Sequence, residues 1–178
     1  MSSKPTEPSI SAFISYSWDS DPHVEWVNSL AHILRGNSIK SLTDQICVGP
    51  GASLNNFMRF GVDNSSWKIC VISDGYVSKM NDLKTGVGKE IEMLERHMES
   101  EYIIPILKNN SGKGVPDFFE GKFWIDFDGG EYLDCIQKLV KRILGFNKMI
   151  EPMIGLNPYS KEVSNVRMLE SDIKKLRF

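Results

Sequence analysis

Two short stretches of this chain are apolar at nearly every position, Ile69-Cys70-Val71-Ile72 and Ile103-Ile104-Pro105-Ile106-Leu107. A strand with one face in water alternates apolar and polar residues, so an unbroken apolar run predicts a strand covered on both faces. Such coverage marks a parallel sheet, whose crossover helices lie over its faces. Within this pattern the two runs extend to Lys68–Ser73 and Tyr102–Leu107, and Ser11–Tyr16, Ile39–Leu42 and Phe123–Phe127 read as three further strands. Pro105 withdraws one ladder donor, which predicts that the fourth strand is peripheral or locally irregular.

Helical periodicity fills the gaps. Asp21 is placed to cap a first helix with Pro22 at its first position, and Val24, Val27, Leu30, Ala31 and Leu34 form its stripe before Gly36 stops it. Leu54, Phe57, Met58 and Gly61 mark a second helix. Ile91, Leu94 and Met98 mark a third, and Leu133, Ile136, Val140 and Ile143 a last one before Gly145. The order predicts an α/β fold, a flavodoxin-like open five-stranded parallel sheet with helices on both faces. Residues 108–122 read as a loop. Residues 1–8 read as a disordered lead-in, 9–145 as the domain, and 146–178 as a linker and C-terminal helix. That helix carries Val163, Val166, Leu169, Ile173 and Leu176 on one face, a stripe that suits docking on the domain or on another chain.

Composition removes several function classes. The chain has 178 residues, 41% hydrophobic and 25% charged, which suits one domain with a sizeable core. A net charge of -2 gives no electrostatic case for nucleic acid. No apolar run is long enough for a membrane span. Cys47, Cys70 and Cys135 are too dispersed for a disulfide framework or a zinc motif, so reduced thiols and a cytoplasmic location are expected. His23, His32 and His97 show no metal-ligand spacing and are expected on the surface or in packing. Neither a dinucleotide or phosphate-loop glycine motif nor a nucleophile elbow occurs.

Carboxylates remain. Strand ends and the turns after them gather at one edge of a parallel sheet. The strand end Phe13–Asp19 can therefore meet Glu90, which follows Gly86-Val87-Gly88-Lys89 at the start of a helix. Glu92, Glu95 and Glu99 read as a solvated face. Gly49-Pro50-Gly51, bracketed by Asp44-Gln45 and Ala52-Ser53, is either an ordinary exposed turn or a mobile loop that borders the cleft or contacts another chain.

These residues resemble a known family. Phe13-Ile14-Ser15-Tyr16-Ser17-Trp18-Asp19 is similar to the first box of Toll/interleukin-1 receptor (TIR) domains, and closer still to the SEFIR branch. Leu42-Thr43-Asp44-Gln45 with Gly49-Pro50-Gly51 resembles the second strand and its BB loop. Lys68 to Tyr76 resembles the third strand, and Gly86-Val87-Gly88-Lys89-Glu90 the SEFIR signature that ends in glutamate. Ile103–Leu107 and Trp124–Phe127 match the fourth and fifth strands. The match runs in order from about Ser9 to Gly145 and leaves the tail uncovered.

The resemblance implies a choice. Many bacterial TIR domains cleave NAD+ at the nicotinamide–ribose bond, and others are assembly modules. For an enzyme it implies Glu90 as the catalytic carboxylate and NAD+ as substrate, with no resident cofactor or metal. It further implies a pocket built from Ser15, Tyr16, Ser17, Trp18 and Asp19, with Asp44, Gly51 and Ser53 on a flap. Many relatives carry an aromatic residue where this chain has Gly86, and Trp18 is an alternative stacking surface. No arginine stands near the first strand end, so backbone amides are expected to hold the phosphates. Water as acceptor gives ADP-ribose and internal attack gives a cyclic isomer, and these residues are compatible with both. The implied setting is bacterial anti-phage signalling, with homotypic assembly through residues 44–53 and a partner defence protein or further domain. The alternatives are a non-catalytic interaction module and, less well supported, a response-regulator-like receiver, for which the early acidic pair is missing.

Overall fold

The computed structural model of the chain describes residues 10–97 and 101–146, so the expected lead-in, Met98, Glu99 and the tail beyond Phe146 lie outside the described residues. Five strands form one sheet: β1 Ser11–Ser15, β2 Lys40–Leu42, β3 Trp67–Ile72, β4 Ile103–Leu107 and β5 Ile125–Asp126. All neighbours are parallel, in the order β2-β1-β3-β4-β5. β4 is interior rather than peripheral, which corrects one half of the expectation from Pro105. Pro105 lies opposite Cys70 of β3, whereas β5 engages only Ile106 and Leu107. The missing donor thus falls where β4 has little partner on the β5 side.

Six helices connect and flank the strands: α1 Asp21–Gly36, α2 Asp44–Cys47, α3 Leu54–Asn64, α4 Asp74–Lys79, α5 Gly86–Glu95 and α6 Tyr132–Ile143. The expected loop 108–122 contains a short 3-10 turn at Asp117–Phe119. The cap of α1 is Ser20, one residue before the expected Asp21, and its hydroxyl accepts from the His23 N–H at 3.4 Å. The stop is also shifted. Gly36 is still helical, and the reversal is made by Asn37 and by Ser38 at φ 62°. On α6 the buried face is Cys135, Leu139 and Ile143, with Ile136 and Val140 packed beside it, while the predicted Leu133 is exposed. Among the described residues no helix is long and apolar enough to cross a membrane.

Strand alternation sorts the core into two layers. Ala12, Ile14, Ile69, Val71, Ile104 and Ile106 face α1 and α6, where Val27, Leu30, Leu34, Leu139 and Ile143 cover them. Phe13, Cys70, Ile72 and Ile103 face the other way, toward Val62, Tyr76, Val87, Ile91 and Leu94 of α3, α4 and α5. By the same alternation Ser15 falls on the Phe13 side. One polar side chain is thereby delivered beneath α5.

Close approach of α3 to β1 depends on Gly61. A Cβ there would lie 2.2 Å from Cδ2 of Phe13, a ring that is 1% exposed and would have to shift. Gly61→Ala is therefore expected to lower unfolding free energy by about 1–3 kcal/mol through overpacking. Gly36→Ala, with nothing within 4 Å of its new methyl, should be neutral or stabilising by up to about 1 kcal/mol. Urea midpoints of the two variants check this, and equal midpoints would remove the argument.

Candidate functional site

α5 begins tightly. Its cap Thr85 accepts from the Gly88 N–H at 3.0 Å, and the same hydroxyl lies 2.9 Å from the Lys79 carbonyl and 2.7 Å from that of Asp82. A Cβ on Gly88 would sit 2.1 Å from the Asp82 carbonyl oxygen, so the second glycine of Gly-Val-Gly is sterically required. Gly86 is not. The nearest atom to a Cβ there is Met58 Sδ at 3.9 Å, and the residue opens onto a cleft. This start seats Glu90, in the second turn of α5, against the end of β1.

Glu90 is buried. Ser15 Oγ donates to its Oε2, and the same hydroxyl lies 3.0 Å from the Tyr76 hydroxyl. Ser15 and Tyr76 are both fully buried. Among the described residues no Lys or Arg forms an ion pair with Glu90. Burial pushes its carboxyl up to about 8; the charge of Asp44 adds to the rise and the Ser15 hydrogen bond opposes it. Burial likewise drives Tyr76 well above its usual range and Cys70 up to about 12, so both keep their protons. At neutral pH the free carboxyl is thus mostly neutral.

Glu90 opens on a cleft of about 310 Å³. Phe13, Ile14, Leu54, Phe57, Met58 and Val87 give it apolar walls, and Tyr16, Ser17, Trp18, Asp44, Lys79 and Thr85 supply polar groups. A mostly apolar concavity with a few convergent polar groups is what small-molecule sites look like. Asp44 organises one rim. Its Oδ1 accepts from the Tyr16 hydroxyl at 2.6 Å and from the Gln45 N–H at 2.8 Å, and its Oδ2 from Trp18 Nε1 at 2.9 Å. Trp18 is held by that bond although it is 61% exposed. Burial and then the bond to Asp44 push the Tyr16 phenol well above its usual range.

Lys79 also lines the cleft. Its Nζ donates to Ser17 Oγ at 2.7 Å and lies 3.6 Å from Asp19 Oδ1. Asp19 Oδ2 also accepts from the Gly75 N–H at 3.1 Å, and a Cβ on Gly75 would lie 1.8 Å from Asp19 Oδ1. Burial raises the Asp19 carboxyl, but hydrogen bonds from Ser17, Ser73 and Gly75 outweigh it and hold the group below its ordinary value. His23, fully buried behind this corner, is kept neutral by burial and meets Asn109 at 3.2 Å.

The structure therefore gathers Glu90, Tyr16, Ser17, Trp18 and Asp44 around one cleft, with Ser15 directly behind Glu90. It places Asp19 against α4 instead. Gly51, at φ 84°, is an exposed turn residue, and Ser53 caps α3 by accepting from the Asn56 N–H at 3.3 Å. Neither lines the cleft. Tyr76 and Lys79 are the polar residues that strand and helix periodicity passed over. Their signal is Ser73 three residues before Tyr76, a capping spacing, and Tyr76 and Lys79 three apart on one helical face.

Comparison with known proteins places this geometry. A prokaryotic SEFIR domain is similar at 23% identity, with 76% of this chain and 99% of that one covered and a TM-score of 0.63. The TIR domain of the Toll-related receptor TRR-2 from Hydra magnipapillata is 21% identical, over 74% of this chain and 94% of its own, with a TM-score of 0.55. The TIR domains of the activated Roq1 resistosome are 20% identical, over 76% and 99%, with a TM-score of 0.57. At these identities the likeness shows the fold. A comparison with curated proteins gives no match. The family model described as TIR domain matches residues 12–140, which take in all five strands but for Ser11, the Asp44 rim and Glu90, and the chain belongs to the TIR domain family.

Proposed function

We propose that this chain cleaves the nicotinamide–ribose bond of NAD+, with Glu90 as the catalytic carboxylate. The observation that carries the reading is a buried carboxyl group with no ion-pair partner among the described residues, bonded to the Ser15 hydroxyl and opening on a cleft of about 310 Å³. Glycosidases that expel an alcohol pair two carboxylates, because that leaving group needs a proton. Nicotinamide leaves NAD+ with the electron pair of the broken bond and departs neutral, so it needs none. Positive charge instead builds on the ribose. A carboxylate beside that sugar gains more from the transition state than from the ground state. An arriving nicotinamide cation also favours ionisation of a group that is mostly neutral in the empty cleft. Water then adds to the anomeric carbon and releases one proton, giving ADP-ribose, or the adenine ring closes a cyclic product.

The prokaryotic SEFIR neighbour and the Roq1 resistosome, which is described as recognising a pathogen effector, support a bacterial immune-signalling setting. A second reading, an interaction module, is favoured by exposed Ile46 and Leu54 flanking the Gly49–Gly51 turn. The two readings combine if self-association through residues 44–53 completes the cleft. Turnover per chain would then rise with protein concentration, and Ile46→Asp would abolish that rise in sedimentation and activity assays alike.

Glu90→Gln should lower turnover of NAD+ or its etheno analogue about 100- to 1000-fold. Background signal in wild type at every concentration would overturn the enzyme reading. Because the carboxylate is the active form, kcat/KM should rise with pH and level off above about 8. Ser15→Ala removes a donor to that carboxylate and should move the rise to higher pH. Stability is expected to change in the opposite sense. Below about pH 4.5 Glu90 is neutral both folded and unfolded, and between there and about 8 only the unfolded chain ionises. Burial of Glu90 therefore costs more as pH rises. The stability advantage of Glu90→Gln over wild type should grow across that window to about 4 kcal/mol, measured by urea unfolding at pH 5 and pH 8.5.

A further inference from the structure

We propose that Lys79 is the specificity-determining cation of this cleft, docking an anionic group of the ligand so that the site selects a nucleotide over a nucleoside. The inference rests on the NAD+ reading for the identity of that group, the diphosphate, and on geometry for the rest. Among the described residues that line the cleft, Lys79 alone carries a positive charge, facing a wall that also holds Asp44 and Glu90. A ligand with two phosphate charges is repelled by the Asp44 carboxylate and finds its one cationic partner among the cleft-lining residues at Lys79.

Lys79 is held for the task. An ammonium has three N–H donors and no acceptor. Ser17 Oγ takes one at 2.7 Å, and Asp19 Oδ1 forms an ion pair with the ammonium at 3.6 Å. Asp19 is itself fixed by the Gly75 N–H and by hydrogen bonds from Ser17 and Ser73. Both clamps come from the turn after β1, and α4, which carries Lys79, is tied to α5 through Thr85 Oγ1 and the Lys79 carbonyl. The side chain nevertheless remains 40% exposed. Two of its donors thus have no hydrogen-bond acceptor among the described residues, and the stem loses little freedom when a ligand arrives. Preorganised donors of this kind gain affinity because ordering is already complete. The first strand end offers no arginine for phosphate, and the cation proposed here comes from α4 instead.

The test is equilibrium binding to the full chain carrying Glu90→Gln, so that no ligand is consumed. ADP-ribose and adenosine are titrated calorimetrically with and without Lys79→Met. ADP-ribose should bind more tightly than adenosine. Lys79→Met should weaken ADP-ribose by about 10- to 100-fold, the range of one hydrogen bond to a charged group, and leave adenosine unchanged. The salt dependence of ADP-ribose binding should flatten in the same variant. Lys79→Gln keeps a donor for Ser17 without the charge, and it replaces Lys79→Met if that variant fails to fold. Equal losses for both ligands, no loss, or ADP-ribose binding no tighter than adenosine would overturn the proposal. Because no outcome needs turnover, failure here is separate from failure of Glu90-dependent cleavage.

Discussion

Glu90 is a buried carboxyl with no ion-pair partner among the described residues, which opposes folding, and the architecture around it follows from accommodating that cost. The Ser15 hydroxyl is its hydrogen-bond partner, and the Tyr76 hydroxyl stands behind Ser15. Hydroxyls satisfy a neutral or an ionised carboxyl, whereas a lysine would hold it ionised. The group is thereby left free to change charge when a cation enters the cleft. Large departures from the best local choice for stability are expected at functional sites. Here the departure has a specific form, since the same residue that weakens the fold at high pH is the one the proposed chemistry needs.

Position follows from two rules of elementary geometry. Period-two alternation along β1 sends Phe13 and Ser15 to the face covered by α3 and α5, and Tyr16 and Ser17 leave the sheet at its edge. Gly88 then lets α5 start beneath the Asp82 carbonyl, which brings Glu90 level with Ser15. A bulkier residue at 88 would lift the helix and separate the pair. The glycine at 86 has no such duty. Its missing side chain leaves the cleft open on that side, facing Met58.

These rules explain what could be read in the sequence. Strand periodicity located β1, β3 and β4 to within about a residue, and a parallel sheet required Phe13–Asp19 to share an edge with the start of α5. Tyr76 and Lys79 could not be read this way. They lie on a helix of six residues, too short for a hydrophobic period to emerge, and its first residues resemble the end of a strand. The four-residue α2 was hidden in the Asp44–Ser53 loop for the same reason. Ser20 and Ser38 are not legible in the sequence because caps and reversals depend on backbone angles that Asp21 and Gly36 can adopt equally well. The apolar stripe of α6 was misplaced at Leu133, where the helix begins beyond the cover of the short β5.

Asp44 joins the loop to the chemistry. It is the first residue of α2, and with one carboxylate it holds the Tyr16 hydroxyl, the Trp18 indole and the Gln45 N–H. The same charge raises the carboxyl of Glu90. A contact that displaced residues 44–53 would move that charge and release two aromatic rings from the cleft rim together. Glu90 would then ionise more readily, because a like charge had withdrawn, while the rim lost its fixed shape. Assembly through this loop, if it occurs as proposed, would therefore change the state of the site. The proposed module and enzyme readings of the same surface would then be one mechanism, in which the neighbour acts on Glu90 through Asp44 without touching it.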